Sequence, residues 1–257
     1  MKPNTKLIFD VNKYAFSKLL DKISYLLFPF AILYIIFMVL YPIWDGKGDW
    51  LYVQIVWNCW QSFNAGALLF FASMFALRFS IYSENEQRKR NYLAIRAFLP
   101  EALIELSKYF QSSAKLLREA YSGRTLENEA PNLPTRYKEI FKECIAFAEP
   151  DVGKYLTYML VRLQVHDAMI KYLHDNFSEV IPTEFHKYKM HIHRLGELQA
   201  LSIKMFDFAR GIKEFDSSRL TWEDYLQAYN SLELLPENFD DLENYTIRVI
   251  ELKEKEL

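Results

Sequence analysis

The chain has 257 residues, a formal net charge of −2, and a composition that is 51% hydrophobic and 16% aromatic. So apolar a composition excludes an intrinsically disordered chain, and seven glycines are too few for a glycine-rich phosphate-binding enzyme. The near-neutral charge does not indicate a general nucleic-acid binder. The apolar residues are concentrated, because two long segments near the N-terminus carry no charge at all.

The first uncharged segment, residues 23–42, is 20 residues long and predicts a membrane-spanning helix. An α-helix rises about 1.5 Å per residue, so roughly 20 residues cross the ~30 Å hydrocarbon core of a bilayer. A cleaved signal peptide is the alternative interpretation, but its apolar part is typically only about 7–15 residues long and ends at a small-residue cleavage site. No Ala-x-Ala site follows this segment, so a transmembrane helix is expected.

The second uncharged segment, residues 51–77, is long enough to span a bilayer with tilt. The connection 43–50 is short and contains two glycines, so the two segments should form an antiparallel transmembrane hairpin over residues 23–78. Five Lys or Arg lie in the basic segment 1–22, one in the connection and five in residues 78–96. By the positive-inside rule, this pattern predicts a multi-pass protein with both termini in the cytoplasm.

Polar side chains in the second segment fall on one face of an ideal helix. At about 100° per residue, Gln54, Asn58 and Gln61 lie within about 40° of one line, and Ser62 lies on its flank. Lipid cannot satisfy amide groups, so this face is expected to meet protein or water. Three interpretations stay open: helix packing, including homo-oligomerisation through the second span; the lining of a pore; and a site for lipid or for a partner's span.

The second span is expected to continue as a juxtamembrane helix over residues 79–99, because residues 78–98 contain neither Gly nor Pro. Pro100 should then break the helix, with Leu99 pushed out of the helical region. Basic side chains near this boundary are predicted to contact anionic lipid of the inner leaflet, at ~1 kcal/mol each. They are Arg78, Arg88, Lys89 and Arg90. So small a patch does not predict direct nucleic-acid binding.

The remaining residues, 100–257, are predicted to form an acidic cytoplasmic domain. Residues 97–257 hold 20 Lys and Arg against 27 Asp and Glu, a balance that anionic lipid headgroups should repel. Apolar residues recur at helical spacing, which predicts helices over about 100–121, 135–147, 152–174, 183–210 and 239–252, with a short helix starting at Thr221. The expected fold class is therefore all-α: an N-terminal two-helix transmembrane hairpin followed by a cytoplasmic helical bundle.

Candidate catalytic residues are few. His166 and His174 are each followed by Asp, as in helical two-metal phosphohydrolases, but both pairs lie on one helix, whereas those enzymes draw ligands from separate helices. His166 also falls on the apolar stripe of its helix, which predicts a hydrogen-bonded core histidine. Cys59 lies in the second span and Cys144 in the cytoplasmic part, so no disulfide is expected.

A second set of histidines is predicted to lie on a solvated helix face. His186 and His193 are seven residues apart, beside Lys189 and Glu197. A zinc site there is the less favoured interpretation. No phosphate loop, no nucleophile elbow and no zinc-protease motif is present, so we assign no catalytic residue, no metal and no cofactor.

In layout, the whole chain resembles the small two-span effectors of bacterial antiphage systems, which accompany retron reverse transcriptases or cyclic-oligonucleotide signalling enzymes. The resemblance rests on the spans near 23–42 and 51–77 and on the helical remainder, and it implies no functional residue. It implies residence in the bacterial inner membrane and a cytoplasmic part that receives a signal or is held by a partner complex. It further implies spans that compromise the membrane, so that the infected cell dies before phage matures.

Two hypotheses of different class follow. In the first, the protein is a non-enzymatic effector held quiet by its cytoplasmic helices, alone or with a regulatory protein or nucleoprotein complex, until second spans assemble through Gln54, Asn58 and Gln61. In the second, it is a passive membrane tether or scaffold whose acidic domain docks a cytosolic complex. A membrane-bound helical metallohydrolase using His166 and His174 is a minor third hypothesis.

Overall fold

The computed structural model describes residues 29–123, 129–176, 185–239 and 241–255. Across these residues every regular element is a helix, which confirms the all-α fold class. They fall into two compact units, one ending at Gln87 and the other beginning at Arg88. The predicted basic segment 1–22 and residues 23–28 of the predicted first span lie outside the described residues.

The first unit is a helical hairpin. Helix α1 (Pro29–Asp45) includes a π-helical stretch over Ile36–Leu40, and a tight turn leads into helix α2 (Trp50–Cys59). Gly48 has φ +87° in this turn, a conformation that only glycine adopts freely. The Asp49 side chain then caps α2 by accepting a hydrogen bond from the Leu51 backbone N–H at 2.9 Å. After Trp60, helix α3 (Gln61–Arg96) follows.

Two boundaries of the hairpin differ from the sequence prediction. The first helix continues through Pro42 to Asp45, because the π-helical stretch just before the proline shifts the hydrogen-bond register where Pro42 has no N–H to donate. The predicted single helix over 51–77 is interrupted at Trp60, which has φ −105° and ψ 17°. Neither glycine nor proline adjoins Trp60, so local sequence patterns do not predict this interruption.

Residues 79–96, where the sequence predicts that the second segment continues as a helix, are helical, since α3 runs from Gln61 to Arg96. Their place next to a membrane stays a prediction. The break falls at Ala97 and Phe98, however, and helix α4 (Leu99–Tyr121) already begins at Leu99. The expectation that Leu99 leaves the helical region was wrong. Pro100 occupies the first turn of α4, where its missing N–H has no intrahelical partner to lose.

The second unit contains the predicted helices in the predicted order. After α4 come α5 (Arg136–Phe147), α6 (Pro150–Asp175), α7 (Phe185–Ala209), α8 (Trp222–Ser231) and α9 (Leu242–Lys255). A short 3₁₀ turn over Pro236–Asn238 precedes α9. The last helix starts about three residues later than predicted and continues to Lys255, beyond its predicted end near residue 252.

Helix ends with a local chemical cause are where the sequence places them. Gly123 and Gly211 have φ +65° and +74° just after α4 and α7, the left-handed conformation of a C-terminal glycine cap. At the start of α8, the Thr221 backbone N–H donates to the Asp224 carboxylate at 2.8 Å, and the Asp224 N–H donates back to the Thr221 hydroxyl. This capping box is worth about 1 kcal/mol.

Helix α7 is the centre of the second unit. It packs against α4, α6, α8 and α9, and it is buried almost all round between Ile192 and Ser202. Its approach to α8 depends on Gly196, because a Cβ added there would overlap Cε1 of the buried Tyr229 ring. A helix so enclosed has no solvated face over this stretch. Polar residues of α7 described below are therefore buried.

Candidate membrane face and polar clusters

The helical hairpin exposes most of its large apolar side chains. Within residues 29–87 only Pro42 and Val53 are buried, and α3 buries no residue at all. Leu69 and Phe75 are 70% and 73% exposed. Contact with water costs about 25 cal/mol for each Å² of such surface, and a contiguous apolar surface of this extent marks contact with a membrane or with another protein.

Among the described residues, one helix is long and apolar enough to cross a membrane, the one that begins at Gln61. The helical run continues to Tyr121 apart from the turn at Ala97 and Phe98, and its apolar part lies at the N-terminal end. Helix α1 is apolar but shorter than the ~20 residues of a full span. A second crossing, and with it the multi-pass topology, stays a prediction.

The two arms of the hairpin meet through polar as well as aromatic contacts. The Tyr34 hydroxyl donates a hydrogen bond to Asn64 Oδ1 at 3.2 Å, and Trp57 Nε1 donates to the Met38 carbonyl at 2.8 Å. The Tyr34 ring also lies against Phe71, with centroids 5.8 Å apart. These contacts pair residues in antiparallel order, so α1 packs against α2 and the start of α3 as a helical hairpin. That both arms cross a membrane stays a prediction.

The four residues of the predicted polar face do not form this interface. Gln54 and Asn58 lie on α2, whereas Gln61 and Ser62 lie on α3 beyond the interruption at Trp60, and all four side chains are exposed. Within residues 29–87, Asn64 supplies the amide that bonds to the other arm. The exposed amides are therefore available to a second copy, to a partner span or to water. Which of these they meet stays a prediction.

Arg88 makes a protein contact. Its guanidinium donates to the carbonyl oxygens of Phe147 and Ala148, at 3.1 and 2.8 Å, where α5 ends. The last carbonyls of a helix lack intrahelical donors and carry the negative end of its dipole, so a cation there is stabilising. Lys89 and Arg90 are exposed and Arg78 is half-buried. Inner-leaflet contact stays a prediction for all four residues, although Arg88 already has the helix terminus as a partner.

Arg96 repeats this arrangement two turns further along α3. Its guanidinium donates through Nε and Nη2 to the Phe208 carbonyl near the end of α7, with the Nε–O distance at 2.9 Å. The same group lies 4.0 Å from the centroid of the Phe208 ring, which adds a cation–π contact. Residues 88–96, the part of α3 that belongs to the second unit, are thus bound to the C-terminal ends of α5 and α7.

A buried carboxylate, Glu197, joins α6, α7 and α9. It is 3% exposed, and it accepts hydrogen bonds from the Tyr158 hydroxyl and from Lys253 Nζ, each at 2.6 Å. Arg162 Nε lies 3.7 Å away. Burial alone would raise the pKa of Glu197, but Lys253, Tyr158 and Arg162 outweigh it and lower the pKa below 4.5. The carboxylate is therefore ionised at neutral pH and bound on several sides.

His193 is likewise buried, at 4% exposure, with its ring stacked on Tyr225 at 5.0 Å. Burial lowers the pKa of His193 to about 4, so the ring is neutral at physiological pH. The prediction that His193 and Glu197 lie on a solvated face was wrong, because α8 and α9 cover that side of α7. The His186 side chain lies outside the described residues.

His166 lies in the core, as its place on the apolar stripe predicts. It is 2% exposed and contacts the Tyr109 ring edge-on, with centroids 6.0 Å apart. The hydrogen bonding expected of it is incomplete, because the buried Nε2 has no hydrogen-bond partner among the described residues. Burial lowers the pKa of His166 to about 3. The adjacent Asp167 accepts from the Tyr109 hydroxyl at 3.2 Å and pairs with Lys171.

The described residues contain no group of three or more His, Cys, Asp or Glu side chains placed to hold a metal ion. His174 Nδ1 lies 3.2 Å from its neighbour Asp175, and this pair is separate from the core position of His166. Cys59 and Cys144 are both free. The structure therefore places no third ligand beside either His-Asp pair within the part of the chain that it describes.

Sequence patterns did not identify Asn64, Arg96 and Glu197 as contact residues. Asn64 stands outside the line of amides, although its position in an apolar segment already required a partner. Arg96 and Glu197 look like ordinary surface charges, and only the long-range packing of helix ends reveals their roles. No protein-family model, no curated protein and no solved structure matches this chain.

Proposed function

We propose that this protein is a non-enzymatic membrane effector that perturbs the bacterial inner membrane in antiphage defence, under the control of its second helical unit. The observation that carries the proposal is the set of exposed amides on an apolar hairpin, Gln54, Asn58 and Gln61. An apolar surface favours the bilayer, whereas amides in hydrocarbon require a partner, so the two properties together favour assembly within the membrane.

Assembly supplies the activity in this proposal. The hairpin crosses the bilayer twice, through residues 23–42 and through α2 with the first part of α3, and both termini lie in the cytoplasm. Amide side chains brought together from several copies satisfy one another or hold water. A row of polar groups that holds water across a bilayer conducts ions. Leakage through such an assembly dissipates the membrane potential and ends phage production with the death of the cell.

Control is exerted through α3 itself. Arg88 and Arg96, near its end, bind the carbonyls that terminate α5 and α7. A partner complex or signal that alters the packing of those helices therefore acts on the same helix that carries Gln61. The expected partners are a cytosolic regulatory protein or a nucleoprotein complex. Binding to the acidic second unit does not involve nucleic acid directly, because its charge repels a phosphate backbone.

The test compares membrane potential, read with a potential-sensitive dye, in bacteria that express the wild-type chain or the triple variant Gln54→Leu, Asn58→Leu, Gln61→Leu. We expect the wild type to depolarise the membrane and the triple variant to leave the potential unchanged at a matched membrane level. Ser73→Leu is the control, because the exposed Ser73 hydroxyl already bonds to its own helix at the Leu69 carbonyl. This control should depolarise like the wild type.

Equal depolarisation by the triple variant would show that the amide face is not the working surface. A wild type that inserts without any effect on the potential would contradict an effector that acts unaided. It would favour the second candidate function, a membrane tether whose second unit docks a cytosolic complex. That candidate is supported by the independent core of the unit beginning at Arg88.

The tether and the effector separate in a truncation that lacks residues 1–78. A tether's docking unit still binds its partner when it is released from the membrane, although localisation is lost. An effector without the hairpin loses its activity completely. Affinity capture of the tagged truncation, set beside its toxicity in cells, measures both properties in one strain.

A further inference from the structure

Helix α6 carries apolar residues on two opposite faces. One face belongs to the core, with Leu156, Met159, Leu163 and Ile170 buried. The other face, called here the α6 seam, consists of Tyr158, Val161, Val165, Ala168 and Tyr172. The four larger members of the seam are 39%, 53%, 43% and 66% exposed, in chain order, and Ala168 is also exposed. Single exposed apolar residues are ordinary, whereas a continuous row of them indicates a contact surface.

The spacing of the α6 seam is that of a helix–helix interface. Its members are separated by three, four, three and four residues, the spacing of a and d positions in a heptad. At ~1.5 Å per residue the seam runs about 21 Å along the helix. The seam is two residues, or about 200°, out of phase with the core stripe and therefore lies on the opposite face of α6. At its N-terminal end the Tyr158 hydroxyl reaches back to Glu197 on α7.

We propose that the α6 seam pairs with the α6 seam of a second copy of this chain, as an antiparallel contact about a two-fold axis at Val165. A two-fold interface must be complementary to itself. Antiparallel pairing centred on Val165 places Tyr158 opposite Tyr172 of the second copy, and Val161 within one residue of its Ala168. The large tyrosine side chains then meet at both ends of the interface. The smaller valine and alanine side chains meet at its middle, where the two helices approach most closely.

Charge at the two ends of the seam selects the antiparallel direction. Lys154 stands one turn before Tyr158 and continues the line of the seam, and Asp175 flanks the seam at its other end; both side chains are exposed. Antiparallel pairing brings Lys154 near Asp175 of the second copy, whereas parallel pairing opposes like charges. Exposed ion pairs contribute only about 0–1 kcal/mol, so they set direction more than strength.

The area of the seam sets the strength of the contact. Its exposed apolar surface is on the order of 400 Å², about half of the ~800 Å² per partner that a standard stable interface buries. Such a contact is weak in dilute solution and forms when copies are concentrated in two dimensions or linked through another contact. In this respect the inference rests on the membrane anchoring of the proposed function and gives its assembly step a second interface, outside the bilayer.

Cysteine cross-linking of the full chain in isolated membranes tests the pairing. In a Cys59→Ser background, which leaves only the buried Cys144, Val165→Cys faces its own copy at the two-fold axis. We expect mild copper-phenanthroline oxidation to convert it to a disulfide-linked dimer at least tenfold faster than the control Gln227→Cys, an exposed position on α8. Equal rates for the two variants would overturn the proposal. The seam would then be a contact surface for residues 1–28 or for a different protein.

The direction is tested with two differently tagged chains expressed together. Antiparallel pairing predicts a disulfide between Val161→Cys on one chain and Ala168→Cys on the other, with little linking of Val161→Cys to itself. The reverse result would overturn the antiparallel arrangement. Because cross-linking is read without any measure of membrane potential, a chain that depolarises but does not cross-link overturns this inference alone. A chain that cross-links without depolarising leaves this inference standing and contradicts only the proposed function.

Discussion

His166 makes the stability of the second unit depend on pH. Burial holds the pKa of this histidine at about 3, against 6.5 for the exposed side chain. As the pH falls below 6.5, the unfolded chain binds a proton that the native state refuses, so stability is lost progressively until about pH 3. At pH 5 this linkage amounts to about 2 kcal/mol. His166→Leu removes it, and we expect the variant to lose less stability than the wild type between pH 7 and pH 5.

Denaturant unfolding of the full chain in detergent, monitored by far-ultraviolet circular dichroism at both pH values, measures the difference. The pKa of His193 is also lowered, to about 4, so the variant retains a pH dependence of the same sign from that residue. Parallel losses of stability in wild type and variant would mean that His166 takes up its proton inside the folded unit.

The residues that sequence patterns place correctly are those whose surroundings are fixed by one helix. His166 is an example, since its position on an apolar stripe predicts burial whatever the neighbouring helices do. His193 and Glu197 are the opposite case. Their own helix suggests a polar face, but α8 and α9 close over it, and the chemistry that makes burial tolerable comes from Tyr158 and Lys253, which are distant in sequence.

Between elements, the C-terminal end of α7 depends on Arg96. The guanidinium satisfies the Phe208 carbonyl and lies over the Phe208 ring. Loss of a charged hydrogen bond at a helix end together with a cation–π contact costs about 1–3 kcal/mol. We therefore expect Arg96→Ala to lower the denaturant midpoint of the full chain, with Arg90→Ala, an exposed residue on the same helix, as the control.

A midpoint unchanged in Arg96→Ala would show that water replaces the guanidinium at the end of α7 without loss. A comparable decrease in Arg90→Ala would trace the effect to the charge or helix propensity of α3 instead. Either result would remove Arg96 from the structural basis for control through this helix and leave Arg88 alone.

Helix boundaries divide in a similar way according to their cause. The ends of α4 and α7 near Gly123 and Gly211, and the start of α8 at Thr221, follow from local chemistry. Each can be predicted from the residues at that boundary. The passage of α1 through Pro42 depends on the π-helical stretch before it, and the interruption at Trp60 has no adjacent glycine or proline. Periodicity treats the segment 51–77 as one ideal helix and so places Gln61 on the same face as Gln54. In the structure the two residues lie on different helices, α2 and α3.

At the scale of the whole molecule, the unit beginning at Arg88 is expected to fold without the hairpin. This unit has a separate hydrophobic core, in which side chains such as Leu106, Phe141 and Leu195 are fully buried among α4–α9. A fragment of residues 79–257 retains Arg88 and Arg96 in their helix and should unfold in one cooperative transition. Leu106→Ala should destabilise it by about 2–5 kcal/mol, as a core truncation does.

Calorimetry and circular dichroism of the purified fragment measure both expectations. A fragment that is helical but melts without a cooperative transition would mean that residues 1–78 are needed to fix its packing. Insensitivity to Leu106→Ala would lead to the same conclusion.

The overall architecture was largely accessible from sequence because its main features depend on composition and period. Uncharged segments, helical spacing and one short connection with two glycines suffice to predict an all-α chain with an apolar hairpin. The candidate site was less accessible, since the partner of an exposed amide in an apolar segment is decided by contacts between segments or between chains. Asn64 and Gln61 are three residues apart, and only the fold reveals that the first meets Tyr34 while the second stays exposed.

The close approach of α7 and α8 has a consequence for how this chain can change over generations. Any side chain at position 196 displaces the Tyr229 ring, and the Tyr229 hydroxyl shares a hydrogen bond of 2.9 Å with Thr246 on α9. A Gly196→Ala substitution would thus disturb α7, α8 and α9 together. We therefore expect Gly196 to be replaced during evolution only after Tyr229 has been replaced by a smaller residue, so that a substitution at one position limits those accepted at the other.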